Sequence, residues 1–286
     1  MPTMPETTES ERIAAIEKSE NRLKLEIILL ASTKALFYFS MTCSIILPCL
    51  NEMRHGYIQR ILPNLIDQQG SKEIIAVVSR STTDGTEDFI AQYPQIKLVM
   101  SDAINRAQRL NQGIKISTGE IVLLHHPATL LPEVEALNTI ELMIDRSTGA
   151  LWGGFQHSFD LDHWLLRFTS WYADRIRFQR TGIVYLDHCI FARRDLLKSI
   201  DYVPDLDIFE DTLLSERLKA FGMPVLVDRK VITSARRFRD RGIYQQAILN
   251  QILKICYRLK VDPKYMNKLY EQKSSINVTY GKQESN

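Results

Sequence analysis

The stretch Ser44-Ile-Ile-Leu-Pro-Cys-Leu-Asn-Glu52 decides the fold. Its apolar run, residues 44–47, reads as a buried strand closed by Pro48. A helical pattern follows over residues 57–69, with Ile58, Ile61, Leu62 and Leu65 at i, i+3, i+4 and i+7. The alternation then repeats. Residues 73–78 form a second apolar strand, 79–86 a polar loop and 87–92 the start of a helix. Residues 97–100 read as a third strand, 103–116 as a helix and 120–124 as a fourth strand. Strand–helix alternation with continuously apolar strands implies a parallel sheet with helices on both faces. Ligands of such sheets sit beyond the carboxyl ends of the strands. The loops beginning at Pro48, Ser79 and His125 are therefore where a site is expected.

Composition sets the outer bounds. The chain has 286 residues, which suits one large α/β domain or a domain with an appendage. A hydrophobic share of 45% and a charged share of 24% exclude disorder as the main state. The net charge of +2 gives no bulk drive towards nucleic acid. Cys43, Cys49, Cys189 and Cys256 have no metal-ligand spacing and read as reduced, mostly buried thiols of a cytoplasmic protein. Residues 1–41 read as a polar tail and a leading helix. The first eleven are acidic and polar, unlike a secretory signal. The most apolar stretch, 26–39, carries Glu26 and Lys34 and is shorter than the ~20 residues of a membrane span. No transmembrane span is expected. That helix either packs on the domain or makes peripheral contact with a membrane surface or a partner. Residues 273–286 read as a flexible tail.

The second half has a different character. Residues 151–200 are rich in aromatic and basic side chains, among them Trp152, Phe155, Trp164, Phe168, Trp171 and Tyr172. The basic residues are interspersed with acids, which fits one face of a site and no separate nucleic-acid domain. Glu210-Asp211 opens a helix with Leu214, Leu218 and Phe221 along one side, stopped by Gly222 and Pro224.

The order of motifs carries a resemblance. Residues 44–52 are followed by Thr82-Thr-Asp-Gly-Thr86, Asn105-Arg-Ala-Gln-Arg-Leu-Asn-Gln-Gly113 and Ser117-Thr-Gly-Glu120. Later come Gly182-Ile-Val-Tyr-Leu-Asp187, Ile190-Phe-Ala-Arg-Arg194, Phe209-Glu-Asp211 with Glu216-Arg-Leu218, and Thr233-Ser-Ala-Arg-Arg237. Over residues 42–270 this resembles family 2 glycosyltransferases, and within them the radical-SAM/selenodomain-associated subgroup. The resemblance implies a GT-A-like, Rossmann-like α/β fold. Its mostly parallel sheet is flanked by helices, with a nucleotide-sugar-binding half, 42–132, and an acceptor half, 133–272. It implies transfer of a sugar from a nucleotide-sugar donor, with inversion, to a small-molecule, lipid or glycan hydroxyl. The donor diphosphate would carry Mg²⁺ or Mn²⁺.

The resemblance also assigns roles. Pro48, Leu50, Asn51 and Glu52 would hold the base and ribose. Ser79 stands where the family has an aspartate on the base; Asp84 is retained, and would also serve as a helix N-cap. Arg106, Arg109 and Asn111 would line the donor site. Arg236 and Arg237, ahead of Arg239 and Arg241, would hold the diphosphate, since arginine grips phosphate through paired hydrogen bonds. Asp211 would be the general base, with Glu210 beside it. Asp187 and Trp152 would contact the acceptor, with Gly153 and Gly154 admitting a sugar close to the backbone.

One position departs from the pattern. In His125-His-Pro-Ala-Thr129, Ala128 stands where the family's metal-binding motif ends in an aspartate. An alanine offers no oxygen to a hard cation. Adjacent histidines on extended chain point opposite ways, so at most one faces the site, and His126 is the one candidate metal ligand. The sequence thus supports an inverting glycosyltransferase, with a degenerate, non-catalytic sugar-nucleotide- or glycan-binding protein as the rival reading.

Overall fold

The opening strand, β1 (Cys43–Cys49), runs through Pro48 instead of ending there, and Pro48 lies in register with Val77. The computed structural model, which describes residues 41–144, 149–271 and 278, shows why proline is tolerated. Ile46 O accepts from His125 N on the β4 (Ile121–Leu124) side. By the two-residue period, Pro48 also turns its amide position to that side. Pairing with β4 has already ended at Ile46, so the missing N–H leaves no ladder bond unmade.

Around β1 the expected alternation appears: α1 (Ile58–Ile66), β2 (Lys72–Ser79), α2 (Thr86–Ala91), β3 (Ile96–Ser101) and α3 (Arg106–Ile116) before β4. The α3 helix starts at 106, later than expected, because Asn105 caps it by accepting from Gln108 N at 2.9 Å. Beyond β4 come β5 (Thr129–Leu130), α4 (Ala136–Ile144), β6 (Trp152–Phe159) and α5 (Trp164–Tyr172), which continues into a π-helical turn, Ala173–Phe178. Then follow β7 (Ile190–Arg193), α6 (Arg194–Ser199), α7 (Glu210–Leu218) and β8 (Val225–Thr233). The described chain closes with α8 (Arg236–Arg241), α9 (Ile243–Arg258) and α10 (Pro263–Glu271).

The eight strands form one mixed, mostly parallel sheet, ordered β3-β2-β1-β4-β7-β6-β8-β5. The first four are parallel, β7 is antiparallel to both β4 and β6, and β6 and β8 are again parallel. This is a GT-A-like arrangement. Among the described residues no helix is long and apolar enough to cross a membrane. The expected leading helix lies outside the described residues, as does the expected tail except Val278.

Both faces of the sheet are covered. Ile45 and Leu47 pack with Ile58, Ile61, Leu62 and Ile140, while Ile46 packs on the other side with Ala107, Leu110 and Ile114 of α3. Gly113 lets α3 come this close: a Cβ there would lie 2.4 Å from Ile46 Cγ2 and 3.2 Å from Val77 Cγ2. Gly113→Val is therefore expected to cost about 3 kcal/mol by overpacking. An unchanged urea midpoint would show that α3 can retreat freely.

Candidate functional site

The loops after β1 and β2 are tied to each other. Asn51, at φ +54°, accepts from Thr83 N at 2.8 Å. Asp84 accepts from Met53 N at 2.9 Å and from Thr86 Oγ1 at 2.6 Å, and Thr86 Oγ1 in turn accepts from Glu52 N at 2.8 Å. Asp84 also accepts from Thr86 N at 3.1 Å, but the N-cap of α2 is Gly85, at φ +83°, so Asp84 braces the loop from one position before the expected cap. Leu50 and Ser79 are buried beneath these loops. Together they hold Pro48 and Glu52 at a cavity of about 220 Å³.

That cavity lies beyond the carboxyl ends of β1 and β4. Pro48 and Glu52 come from the first loop, Arg106 and Arg109 from α3, and His126 and Pro127 from the segment after β4. Asp187 enters from the turn before β7, Asp211 from α7, and Arg236 and Arg237 from the start of α8. The opposite wall is made by Arg177 of the π-helical turn and by Gln246, Asn250 and Lys254 of α9.

Other expected residues sit elsewhere. Leu50, Asn51, Ser79 and Asp84 lie behind the cavity wall. Asn111 exchanges two hydrogen bonds with the Val203 backbone, at 2.7 and 2.9 Å. Trp152 is wholly buried in the core and donates to Gly222 O. The space beside Gly153 and Gly154 is filled by protein: added Cβ atoms would meet Val225 O at 2.1 Å and Val184 Cγ1 at 3.0 Å. These glycines admit neighbouring backbone and side chains, not a ligand. Neither Arg239 nor Arg241 lines the cavity: Arg239 pairs with Asp160, and Arg241 stands behind the wall, donating to Gln246 and the Tyr270 carbonyl.

Charge is dense and buried here. Arg106 Nε donates to Glu210 Oε1 at 2.5 Å, with Glu210 almost inaccessible. Beside it, burial and the Glu210 carboxyl push Asp211 up to about 6, against the pull of Arg106. Asp211 Oδ2 accepts from Leu186 N at 2.9 Å, and Oδ1 receives one long contact, 3.3 Å, from Thr212 Oγ1. Burial also raises Glu52, which Arg236 opposes from 3.7 Å. Burial alone would raise Asp187, yet His157, His188 and the Arg177 cation hold it at about 2. Burial pushes both imidazoles down, His188 to about 3, so at neutral pH the full positive charge beside Asp187 is that of Arg177. Burial and the neighbouring Arg177 cation lower Lys254 to about 8.

Several wall residues carried no sequence signal. Arg177 lies over the Tyr185 ring at 3.5 Å and comes from a π-helical turn, a form that often marks functional positions. Phe209, the residue before α7, sits at φ +64°, a costly conformation for a phenylalanine, and fixes the approach to Glu210 and Asp211.

The model of "Glycosyl transferase family 2" matches residues 44–200, more than half of the chain. The chain belongs to glycosyltransferase family 2. No curated protein matches it. Among solved structures, S. aureus TarS is similar at 19% identity and TM-score 0.56, covering 74% of this chain and 66% of that one. A TarS complex with UDP-GlcNAc matches at 20% and 0.57, over 68% of this chain and 59% of that one. A mannosyltransferase from Pyrobaculum calidifontis, in complex with GDP-Man and Mn²⁺, matches at 17% and 0.56, over 84% and 66%. The chain thus spans two thirds or less of these structures' lengths. At such identities the likeness is one of fold.

The family 2 fold raises the question of a metal, and the residues at the end of β4 fit one poorly. Ala128 is a buried methyl group. His126 Nδ1 accepts from Ala128 N at 3.2 Å, and burial followed by Arg106 and Arg236 keeps the ring neutral. Its proton therefore sits on Nε2, which makes that nitrogen a hydrogen-bond donor and not a metal ligand. Among the described residues no three His, Cys, Asp or Glu side chains are grouped to hold a metal ion. His125 is buried beneath, off the cavity wall.

The Arg106–Glu210 pair joins the first turn of α3 to that of α7. Glu210→Ala should cost about 3–5 kcal/mol, because it strands a buried cation, whereas Arg106→Met with Glu210→Leu should recover most of that loss. Equal losses for the single and double variants in a denaturant titration would show that the pair is not coupled.

Proposed function

We propose that the chain transfers a sugar from a nucleotide-sugar donor to an acceptor hydroxyl, inverting the anomeric carbon, with Asp211 as general base. The reading rests on a single feature, an Asp211 carboxylate on the cavity wall with lone pairs to spare and a proton affinity raised towards neutrality. The acceptor oxygen would attack the anomeric carbon as its proton passes to Asp211. The bond from that carbon to the phosphate oxygen would break, and the nucleoside diphosphate would leave with the electron pair. Arg106, Arg236 and Arg237 would meet the developing charge on the diphosphate from positions fixed in advance. Pro48, Asn51, Glu52, Ser79 and Asp84 form or brace the side of the cavity proposed for the nucleoside. Asp187 is proposed to accept from sugar hydroxyls, and the motif order supports the radical-SAM-associated subgroup.

No step is routed through a divalent cation, since the residues after β4 fit one poorly. Donor binding is expected to survive EDTA. Calorimetry with UDP- and GDP-sugars, with and without Mn²⁺, tests this, and affinity that vanishes with the chelator would reverse it. Arg236→Ala should weaken that binding about tenfold or more, the loss of a charge-assisted contact.

The pH dependence has a definite sign. Asp211 is raised, so its basic form exists above about 6 and activity is lost as pH falls through that value. Glu210→Gln removes a raising neighbour and should move this acid limb of kcat/KM to lower pH. Asp211→Asn should reduce turnover by about a hundredfold or more while donor affinity is kept. Full turnover in that variant would displace Asp211 as base; donor binding without turnover in the unaltered chain would favour a non-catalytic sugar-nucleotide-binding protein.

A further inference from the structure

The α9 helix carries apolar residues on two sides: Leu249, Leu253 and Cys256 pack inward with Ile208 and Met266, and a second apolar row faces outward. An ordinary surface helix turns its apolar stripe inward. Here Gln246, Asn250 and Lys254, at i, i+4 and i+8, face the cavity. Tyr244, Ile248, Ile252, Ile255 and Leu259 are all exposed, Leu259 at 72%. Their spacing puts them along one side of the helix. The neighbouring α5 repeats the pattern: Trp164, Phe168, Trp171 and Tyr172 are exposed, while Leu166 packs in a small apolar cluster with Ile243 and Ala247 of α9. The His163 and Tyr244 rings touch at 5.9 Å, so the two exposed faces adjoin. Both helices also border the cavity, through Thr169 and the π-helical turn on one side and Lys254 on the other.

We propose that this paired face docks the protein on an anionic phospholipid bilayer. The chemistry of the two helices favours lipid over other occupants. Tryptophan and tyrosine beside aliphatic residues suit the depth where headgroups meet acyl chains. Neither α5 nor α9 contains an acidic residue. Residues 164–181 and 243–268 together hold nine Lys+Arg against two Asp+Glu, and seven of the nine remain once the cavity-lining Arg177 and Lys254 are set aside, in a chain whose total excess is only two. A basic rim around an apolar centre attracts an anionic surface. The same rim opposes a second copy, because a two-fold contact would bring like charges together. The membrane contact stands independently of the enzymatic reading. Resting on that reading, it follows that the acceptor hydroxyl is presented from the bilayer, with the cavity opening beside the docked helices.

The test uses the full chain and vesicles of phosphatidylcholine with phosphatidylglycerol, against phosphatidylcholine alone. The chain has three tryptophans; Trp152 is wholly buried, so a change in emission reports Trp164 and Trp171 on α5. Flotation with the anionic vesicles, weakened by salt and accompanied by a blue shift, is expected. Ile248→Gln with Ile252→Gln should weaken partition roughly tenfold or more with unchanged thermal unfolding, because two apolar side chains lose their burial. Phe168→Gln should act in the same direction. The proposal is overturned by absence of flotation, by flotation with unshifted emission, or by flotation that the variants leave intact. A dimer in light scattering that the same variants dissociate would instead assign the face to self-association. Donor binding is measured separately on the vesicle-free protein, so a chain that floats but binds no sugar nucleotide would remove the enzymatic reading and leave the membrane contact standing.

Discussion

The buried ion pair between Arg106 and Glu210 is the constraint on which the site depends. It spans 104 positions of sequence and ties the first turn of α3 to the first turn of α7. It does not act alone. Asn105 donates to Asp205 at 2.7 Å and to Asp207 at 3.2 Å, Gln108 donates to Asp205 at 2.9 Å, and Asn111 clasps the Val203 backbone. One polar edge of α3 thus holds the whole approach to α7. The opposite edge of the same helix lies against β1 and β2, with Gly113 setting the distance. Asp211 is therefore located by the parallel sheet through a rigid helix, which holds both the start of α7 and the loop that precedes it. Buried charge costs desolvation that only a well-made partner offsets. The gain here is a carboxylate at a fixed place with an altered proton affinity.

The same density of charge keeps the cavity polar, although the described residues include no metal-binding cluster. Glu52, Asp187 and Asp211 are each opposed by a nearby arginine: Arg236, Arg177 and Arg106. Guanidinium groups stay protonated even when buried, unlike ammonium groups, and Lys254 shows the contrast in its lowered value. His126 completes the pattern. Its neutral ring accepts a backbone N–H and leaves a donor to the cavity, where a carboxylate at position 128 would have left acceptors. The wall thus mixes guanidinium donors with the carboxylates they oppose.

Much of the parallel half was legible because continuously apolar runs have few alternatives to a buried strand. Pro48 was misplaced as a strand end, since whether proline interrupts a strand depends on which neighbour its amide would face, and that is a property of the sheet. The antiparallel strand β7 spans only four residues between a turn and a helix, too short for periodicity to show. Asn111 and Trp152 illustrate the limit for single residues. Each has the chemistry of a ligand contact, and each is used up by a backbone carbonyl from a segment that sequence could not place beside it. Glu210 and Asp211 are adjacent acids at one helix start, indistinguishable on the page, yet one is sealed under Arg106 and the other reaches the cavity.

The wall made by α9 was invisible for a deeper reason. Pattern reading assumes that apolar side chains mark one buried face, and this helix carries them on two, with Leu249, Leu253 and Cys256 inside and Ile248, Ile252 and Ile255 outside. Its polar side is needed at the cavity, where Gln246 is fixed by Arg241 and bonded to Asn250 at 2.7 Å. Leu249, Leu253 and Cys256 fill the rest of the inward side, and the other apolar residues point out. Had these positions been neutral to function, substitution by polar residues would carry no cost in the folded chain and would favour solubility. That five apolar residues nonetheless line the outer side of α9, continuous with four aromatics on α5 and without an acid on either helix, is the signature of a surface that meets something other than water.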